Sequence, residues 1–196
     1  GRDITKLTPE ARVAAGLKMV PQGRGIFPAF TVEQNLRVGA YRVKSRDFQG
    51  KVEPIYARYP RLAERREQRA GTLSGGEQAM LALGRALIDA PSMLLLDEPT
   101  AGLSPAATHE MADLVAELNA DRVTILLVEQ SIGVALKLAT RVLLMQKGEI
   151  IRETSPSKLT DRKALLDELG AGSLYAKERR KPKVTRRKKT TARSKR

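Results

Sequence analysis

The feature that most constrains this chain is an apolar run that ends abruptly on two carboxylates. Residues 93–100 read Met-Leu-Leu-Leu-Asp-Glu-Pro-Thr. Four apolar residues in a row predict a β-strand that is buried on both faces. Open α/β sheets bind ligands at the carboxyl ends of their strands, which is where Asp97 and Glu98 follow. Two adjacent acids there are typical of Mg²⁺-assisted phosphate chemistry, although a strand end that merely meets solvent gives the same pattern.

Apolar runs and helical periods alternate along the rest of the chain. Predicted strands cover residues 16–20, 123–128, 142–145 and 149–152, besides the run at 93–96. Predicted helices cover residues 31–43, 52–58, 131–139 and 161–169, and two more begin at Ser74 and Ser104. This alternation predicts an α/β fold with a mainly parallel sheet. The segment between Gln22 and Ser74 carries no strand signal, so it reads as a helical insert.

A second informative motif, Leu-Ser-Gly-Gly-Glu-Gln, occupies residues 73–78. Ser74 can cap the helix that follows, and Gly75 and Gly76 allow a ligand to approach the backbone closely. Free amides and the positive end of the helix dipole then form an anion site. The plain alternative is a glycine-tolerant turn before a core helix.

Composition narrows the class of protein. The chain has no Cys, which excludes disulfides and thiolate metal sites, and no stretch approaches the ~20 apolar residues of a membrane helix. The net charge of +14 is concentrated in residues 177–196, which hold twelve Lys or Arg and one acid. Such a tail is expected to be disordered, and it would bind anionic lipid or nucleic acid, or serve only as a solvated end.

The two motifs, in this order and at this separation, resemble those of the ATP-binding-cassette (ABC) ATPases. The resemblance covers about residues 1–151 and implies a partial P-loop NTPase (RecA-like) core with a helical subdomain insert. The resemblance divides the chain into four segments. Residues 1–22 are part of the ATPase core and carry the Q-loop, and residues 23–90 form the helical signature subdomain. Residues 91–170 return to the ATPase core with the Walker B strand, the D-loop and the switch loop, and residues 171–196 are a basic tail.

The resemblance also implies roles in binding and hydrolysing ATP with Mg²⁺. Asp97 matches the Walker B aspartate that holds Mg²⁺, and Glu98 matches the general base that activates water. Gln22 matches the Q-loop glutamine, which contacts both Mg²⁺ and the attacking water. Gln130 stands where the family usually has its switch histidine, and Ser104 where the D-loop usually has an aspartate. The lone histidine, His109, is expected at the surface of a helix.

The motif at 73–78 matches the family's signature motif. By the resemblance it contacts an ATP molecule held by a second ABC ATPase subunit, through residues Ser74, Gly75, Gly76, Glu77 and Gln78.

Finer features resemble the ATPases of branched-chain amino-acid importers, of the LivF type. They are the runs at residues 20–28, 31–36, 102–105 and 127–130. Urea and short-amide importers share much of this pattern and stay an alternative. The resemblance implies transmembrane permease partners, a periplasmic substrate-binding protein, and a peripheral location at the cytoplasmic face of the membrane.

No Gly-x-x-x-x-Gly-Lys-[Ser/Thr] loop occurs in the 196 residues. In the family that loop wraps the phosphates, so we expect a further βα unit of ~30 residues upstream and an inactive polypeptide without it.

Two rival functions remain. One is a chromosome-maintenance ATPase, which the short gap between residues 22 and 73, without heptads, disfavours. The other is a non-transport ABC ATPase acting on nucleic acid or the ribosome, which would suit the basic tail.

Overall fold

A computed structural model describes residues 3–159 of the chain. Seven helices and five strands occur in this part. The helices are α1 Pro9–Ala14, α2 Val32–Gly39, α3 Phe48–Arg58, α4 Pro60–Glu64, α5 Gly75–Leu87, α6 Pro105–Ala120 and α7 Ile132–Leu138. The strands are β1 Leu17–Val20, β2 Met93–Asp97, β3 Thr124–Val128, β4 Val142–Gln146 and β5 Glu149–Thr154. The described residues fall into two compact units, with the boundary between Ala139 and Thr140.

The first unit is built on a parallel sheet of order β1-β2-β3. Its register pairs Val20 with Leu96, and Leu96 with Leu127, so these three side chains share one face. The sheet and its helical connections confirm the predicted α/β class. Residues 21–92 contain only helices, turns and an isolated bridge between Thr31 and Arg69, as expected of a helical insert.

Helix α5 separates two apolar cores in the first unit. Met80 and Leu81 pack with α2, α3 and α4, whereas Ala82 and Leu83 pack with the sheet and α6. The helix is therefore buried on most sides, and not on the single apolar face that its sequence period predicts. This double contact explains why α5 carries eight buried residues within thirteen.

The predicted burial of β2 on both faces is wrong for the described residues. Leu94 and Leu96 are fully buried beneath α5 and α6, but Met93 and Leu95 on the opposite face are only half-buried. On the neighbouring strands that opposite face exposes Met19, Leu126 and Val128, which are 54%, 44% and 53% exposed. An apolar run alone cannot show that, among the described elements of the first unit, α5 and α6 cover one face of the sheet more fully than the other face is covered.

The second unit contributes an antiparallel hairpin. Strand β4 pairs with β5 through a tight turn at Lys147 and Gly148, whose φ angles of 50° and 85° fit the primed turn typical of hairpins. A single 3₁₀ turn, Pro156–Lys158, follows. The predicted helix at 161–169 and the basic tail lie outside the described residues.

Element boundaries differ from the sequence predictions in a few places. Helix α2 ends at Gly39, short of the predicted residue 43, and α3 begins at Phe48 and tolerates Pro54 in its interior. Helices α1 and α4 have no counterpart in the predictions because they are only six and five residues long. The capping box at Thr31 and Gln34 is confirmed. No helix between residues 3 and 159 is long and apolar enough to cross a bilayer.

Candidate functional site

The backbone turns sharply at Glu98, directly after β2. Glu98 has a φ of +48°, in the left-handed region, and it precedes Pro99, a position that normally favours extended backbone. Its amide donates to the carbonyl of Val128 (2.8 Å), and its own carbonyl accepts from the amide of Ala101 (3.1 Å). Backbone held in such a conformation concentrates at functional sites, where it fixes the direction of a side chain.

The carboxylate of Glu98 is held between two glutamine amides. Gln22 Nε2 donates to Oε2 (2.9 Å) and Gln130 Nε2 donates to Oε1 (2.7 Å). The three residues come from the ends of β1, β2 and β3, so the parallel sheet brings together positions that are 76 and 32 residues apart. Each carboxylate oxygen accepts one of these hydrogen bonds and has a second lone pair, so Glu98 can still accept a proton from water.

Asp97 is the last residue of β2 and belongs to the half-covered face of the sheet. Its carboxylate has no hydrogen bond or ion pair with any residue between 3 and 159. No group of three or more His, Cys, Asp or Glu side chains that could hold a metal occurs in that same range. Mg²⁺ is usually held by one or two carboxylates plus substrate phosphates, so a free Asp97 and the amide oxygen of Gln22 suit this ion.

The loop after β1 is braced from helix α5. Gly23, Arg24 and Gly25 all have positive φ angles, of 75°, 70° and 57°. Arg85 donates from Nη1 to the carbonyl of Gly25 (2.7 Å) and from Nη2 to that of Arg24 (3.3 Å), and its guanidinium lies over the ring of Phe27. Burial lowers the pKa of Arg85, although the group stays charged.

A second brace fixes the far end of this loop. The Asn35 side chain is fully buried, and its Oδ1 accepts from the amide of Phe27 (2.8 Å). Its Nδ2 donates to the carbonyls of Phe27 and Thr31, both at 3.0 Å. Sequence reasoning missed both Asn35 and Arg85. Arg85 is the one charged residue in the apolar second half of α5 and could have been noticed there, whereas Asn35 stands among other polar residues of α2 and has no such signal.

The signature motif begins α5 with a capping box. Ser74 Oγ accepts from the amide of Glu77 (3.3 Å), and Glu77 Oε2 accepts from the amide of Ser74 (2.9 Å). Arg65 forms an ion pair with the other carboxylate oxygen (3.0 Å). The backbone hydrogen bond from Ser74, followed by the Ser74 side chain and Arg65, lowers the pKa of Glu77 against the opposing effect of burial. The Glu77 side chain therefore serves the helix itself.

Gln78 is also engaged within the chain. It accepts from Arg24 Nη1 (2.9 Å) and donates to the carbonyls of Ala70 and Leu73 (3.3 and 3.2 Å). Arg24 and Gln78 thus connect the loop after Gln22 with the loop before Ser74. The five signature residues lie together at the start of α5, where Ser74 is exposed, Gly75, Gly76 and Gln78 are half-buried, and Glu77 is buried. A nucleotide contact through any of the five stays a prediction.

The glycines of the motif also serve packing. A side chain on Gly76 would meet Cβ of Ala107 in α6 at 3.3 Å, and one on Gly75 would meet the Arg24 guanidinium at 3.4 Å. His109 lies exposed on α6, as expected. Ser104 caps α6 with a bond from the Ala107 amide (3.3 Å), so it starts that helix in place of the aspartate usual in the family.

A parallel sheet whose strand tips carry two acids and two glutamines, with a helical insert ending in a capped glycine-rich helix, defines a nucleotide-hydrolysing α/β cassette. Residues 1–101 match the family described as ABC transporter. The chain therefore belongs to the ABC transporter family, as an ATP-binding and ATP-hydrolysing member.

Individual relatives agree with this assignment. The high-affinity branched-chain amino acid transport ATP-binding protein BraG of Pseudomonas aeruginosa is 41% identical, over 83% of this chain and 70% of that protein. The probable branched-chain amino acid transport ATP-binding protein LivF of Archaeoglobus fulgidus is 36% identical, over 82% and 69%. A solved ATP-binding cassette of an ABC transporter in its ADP conformation superposes with a TM-score of 0.73 at 27% identity, over 87% of this chain and 74% of that one.

Proposed function

We propose that this chain is the ATP-hydrolysing subunit of an importer for branched-chain amino acids, with Glu98 as the general base. The observation that carries the proposal is the strained Glu98 backbone, together with the carboxylate that Gln22 and Gln130 hold. Two relatives whose names refer to branched-chain amino acid transport support the choice of substrate over urea or short amides.

Each residue of the site has a distinct task in this proposal. Asp97 would hold Mg²⁺ and Gln22 would contribute its amide oxygen. The ion, when bound, neutralises charge on the phosphates. Glu98 takes the proton of the attacking water, and the Gln130 amide directs its carboxylate. Gln130 cannot exchange a proton as a histidine can, so proton transfer falls to Glu98 alone.

The signature residues would act on the nucleotide of a second subunit. Ser74, Gly75 and Gly76 sit at the start of a thirteen-residue helix, where backbone amides and the helix dipole attract phosphate. The proposal therefore includes a second ABC ATPase and transmembrane permease subunits, with a periplasmic binding protein acting through them. It places the chain at the cytoplasmic face of the membrane. Any binding of lipid or nucleic acid by the basic tail lies outside the described residues.

Replacement of Glu98 tests the proposal. In a transporter assembled with a complete subunit that includes a phosphate-binding loop, Glu98→Gln keeps the size of the side chain and removes the proton acceptor, so ATP hydrolysis should fall by at least ~100-fold while ATP binding persists. Phosphate release and equilibrium nucleotide binding measure the two quantities. The matched control is Glu110→Gln, since Glu110 is exposed on α6 and takes no part in the hydrogen bonds of Glu98. Hydrolysis by Glu98→Gln at the wild-type rate would refute Glu98 as the base.

A further inference from the structure

The carboxylate of Glu129 bridges two loops of the site. Its Oε1 accepts from both the hydroxyl and the amide of Thr100, at 2.6 and 3.1 Å. Its Oε2 accepts from the amide of Ser131 at 3.3 Å. Thr100 follows β2 and Ser131 precedes α7, so one side chain connects the backbone after the second strand to the backbone after the third.

The two ends of this bridge flank the residues of the hydrolytic site. Thr100 lies two residues after Glu98, and Ser131 is the immediate neighbour of Gln130. The amide of Glu98 donates to the carbonyl of Val128, just before Glu129. The ends of β2 and β3 are therefore joined in three ways: by the Glu98–Gln130 hydrogen bond, by the Glu129 bridge, and by the backbone hydrogen bond from Glu98 to Val128.

The bridge also reaches the start of helix α7. Ser131 occupies the N-cap position of α7, as the sequence predicts, but its hydroxyl makes no capping bond. The Glu129 carboxylate accepts from the amide of this N-cap residue and so holds the backbone where the helix begins. Thr100 is buried, at 9% exposed, and a buried hydroxyl requires a partner, which Glu129 supplies.

We propose that Glu129 is a positioning residue for ATP hydrolysis: it holds the strand tips together so that the Gln130 amide stays against the Glu98 carboxylate. The inference rests on the proposed function for the meaning of that contact. Glu129 itself acts on Thr100 and Ser131, and it reaches the hydrolytic site only through them. Charge-assisted hydrogen bonds of this kind are among the stronger ones in proteins.

Hydrogen exchange tests the bridge without any nucleotide. In the purified chain, Glu129→Ala should raise the exchange rate of the amides of Thr100 and Ser131 by ~10-fold or more, because both lose a charged acceptor. Glu129→Gln keeps one acceptor oxygen and should protect the Thr100 amide better than that of Ser131. Glu110→Gln is the matched control. Unchanged exchange at both amides in Glu129→Ala would overturn the bridge.

Kinetics in a transporter assembled with a complete subunit, phosphate-binding loop included, test the positioning role. Glu129→Ala should lower kcat by ~10-fold while KM for ATP stays within ~2-fold, since the contact acts on the hydrolytic step and not on binding. Gln130→Ala should then add little to Glu129→Ala, because the amide it removes is already misplaced. If the kcat losses of Glu129→Ala and Gln130→Ala multiply in full in the double variant, or if KM rises while kcat is unchanged, then Glu129 does not position Gln130.

A Glu98→Gln variant that still hydrolyses ATP would instead refute the proposed function. The existence of the Glu129 bridge would then be tested by hydrogen exchange alone.

Discussion

At the scale of single residues, Glu77 shows how a side chain in a functional motif can serve the fold. Its carboxylate accepts from the Ser74 amide and pairs with Arg65, while its own amide is capped by Ser74. The signature loop therefore keeps its shape through an interaction that depends on the charge of one acid.

The lowered pKa of Glu77 gives that interaction a pH dependence. A carboxylate whose pKa is lower in the folded state stabilises the protein above its unfolded pKa, and this contribution disappears as the pH falls through the folded value. We expect Glu77→Gln to be less stable than the wild type at pH 7, with the difference shrinking below about pH 4.5, the ordinary pKa of the side chain. Denaturant midpoints at several pH values measure this.

The control for that experiment is Glu110→Gln, which removes an exposed carboxylate at the surface of α6. Its midpoint should differ little from the wild type at every pH. A Glu77→Gln difference that stays constant down to pH 3 would contradict the argument.

Sequence predicted the residue types of the site better than their contacts. The tip of β2 and the order of the two motifs are local patterns, and they led to Asp97, Glu98 and the family. The Glu98 carboxylate is held by Gln22 and Gln130, which lie 76 and 32 positions away in the sequence, and only the family resemblance pointed to these two residues. Glu129 was missed because nothing local distinguishes it from any acid that follows a strand.

At the scale of elements, the close contact between α2 and α5 fixes how the helices of the first unit pack together. Gly39 ends α2 against the backbone of α5, where an added Cβ would lie 2.3 Å from the carbonyl oxygen of Arg85. Arg85 in turn braces the loop at Arg24 and Gly25. The approach of these two helices therefore connects helix packing to the loop that carries Gln22.

We expect Gly39→Ala to destabilise the fold by ~1–3 kcal/mol, because the backbone of α5 cannot yield as a flexible side chain would. The matched control is Gly50→Ala in α3, where an added Cβ meets nothing within 4 Å. That change should be neutral or stabilising by up to ~1 kcal/mol through helix propensity. Urea denaturation of both variants measures the effect, and equal stability of the two would show that α2 can shift away.

Sequence patterns located most of the long helices and strands, but they missed the short helices α1 and α4 and did not predict how much of α5 is buried. The capping signals at Thr31, Ser74 and Ser104 fix helix starts because they act within four residues. Helix α5 shows the opposite case. Its period predicts one apolar face, but packing between two cores buries it on most sides.

At the scale of the whole molecule, the 196 residues contain no Gly-x-x-x-x-Gly-Lys-[Ser/Thr] loop. We expect the isolated 196-residue polypeptide to bind ATP with negligible affinity, because the proposed contacts would supply only a metal held by Asp97 and the start of helix α5. Titration calorimetry with MgATP measures this. Micromolar binding would show that these parts suffice.

The half-covered face of the sheet has a consequence for the handling of this polypeptide. Met19 on β1 and Leu126 on β3 lie on either side of Leu95 in β2, with Val128 further along β3, and each of the three outer side chains is about half exposed. Surfaces of this kind attract one another in water, and the attraction weakens on cooling. Dilute, cold solutions therefore favour separate molecules, and warm, concentrated ones favour colloidal clusters.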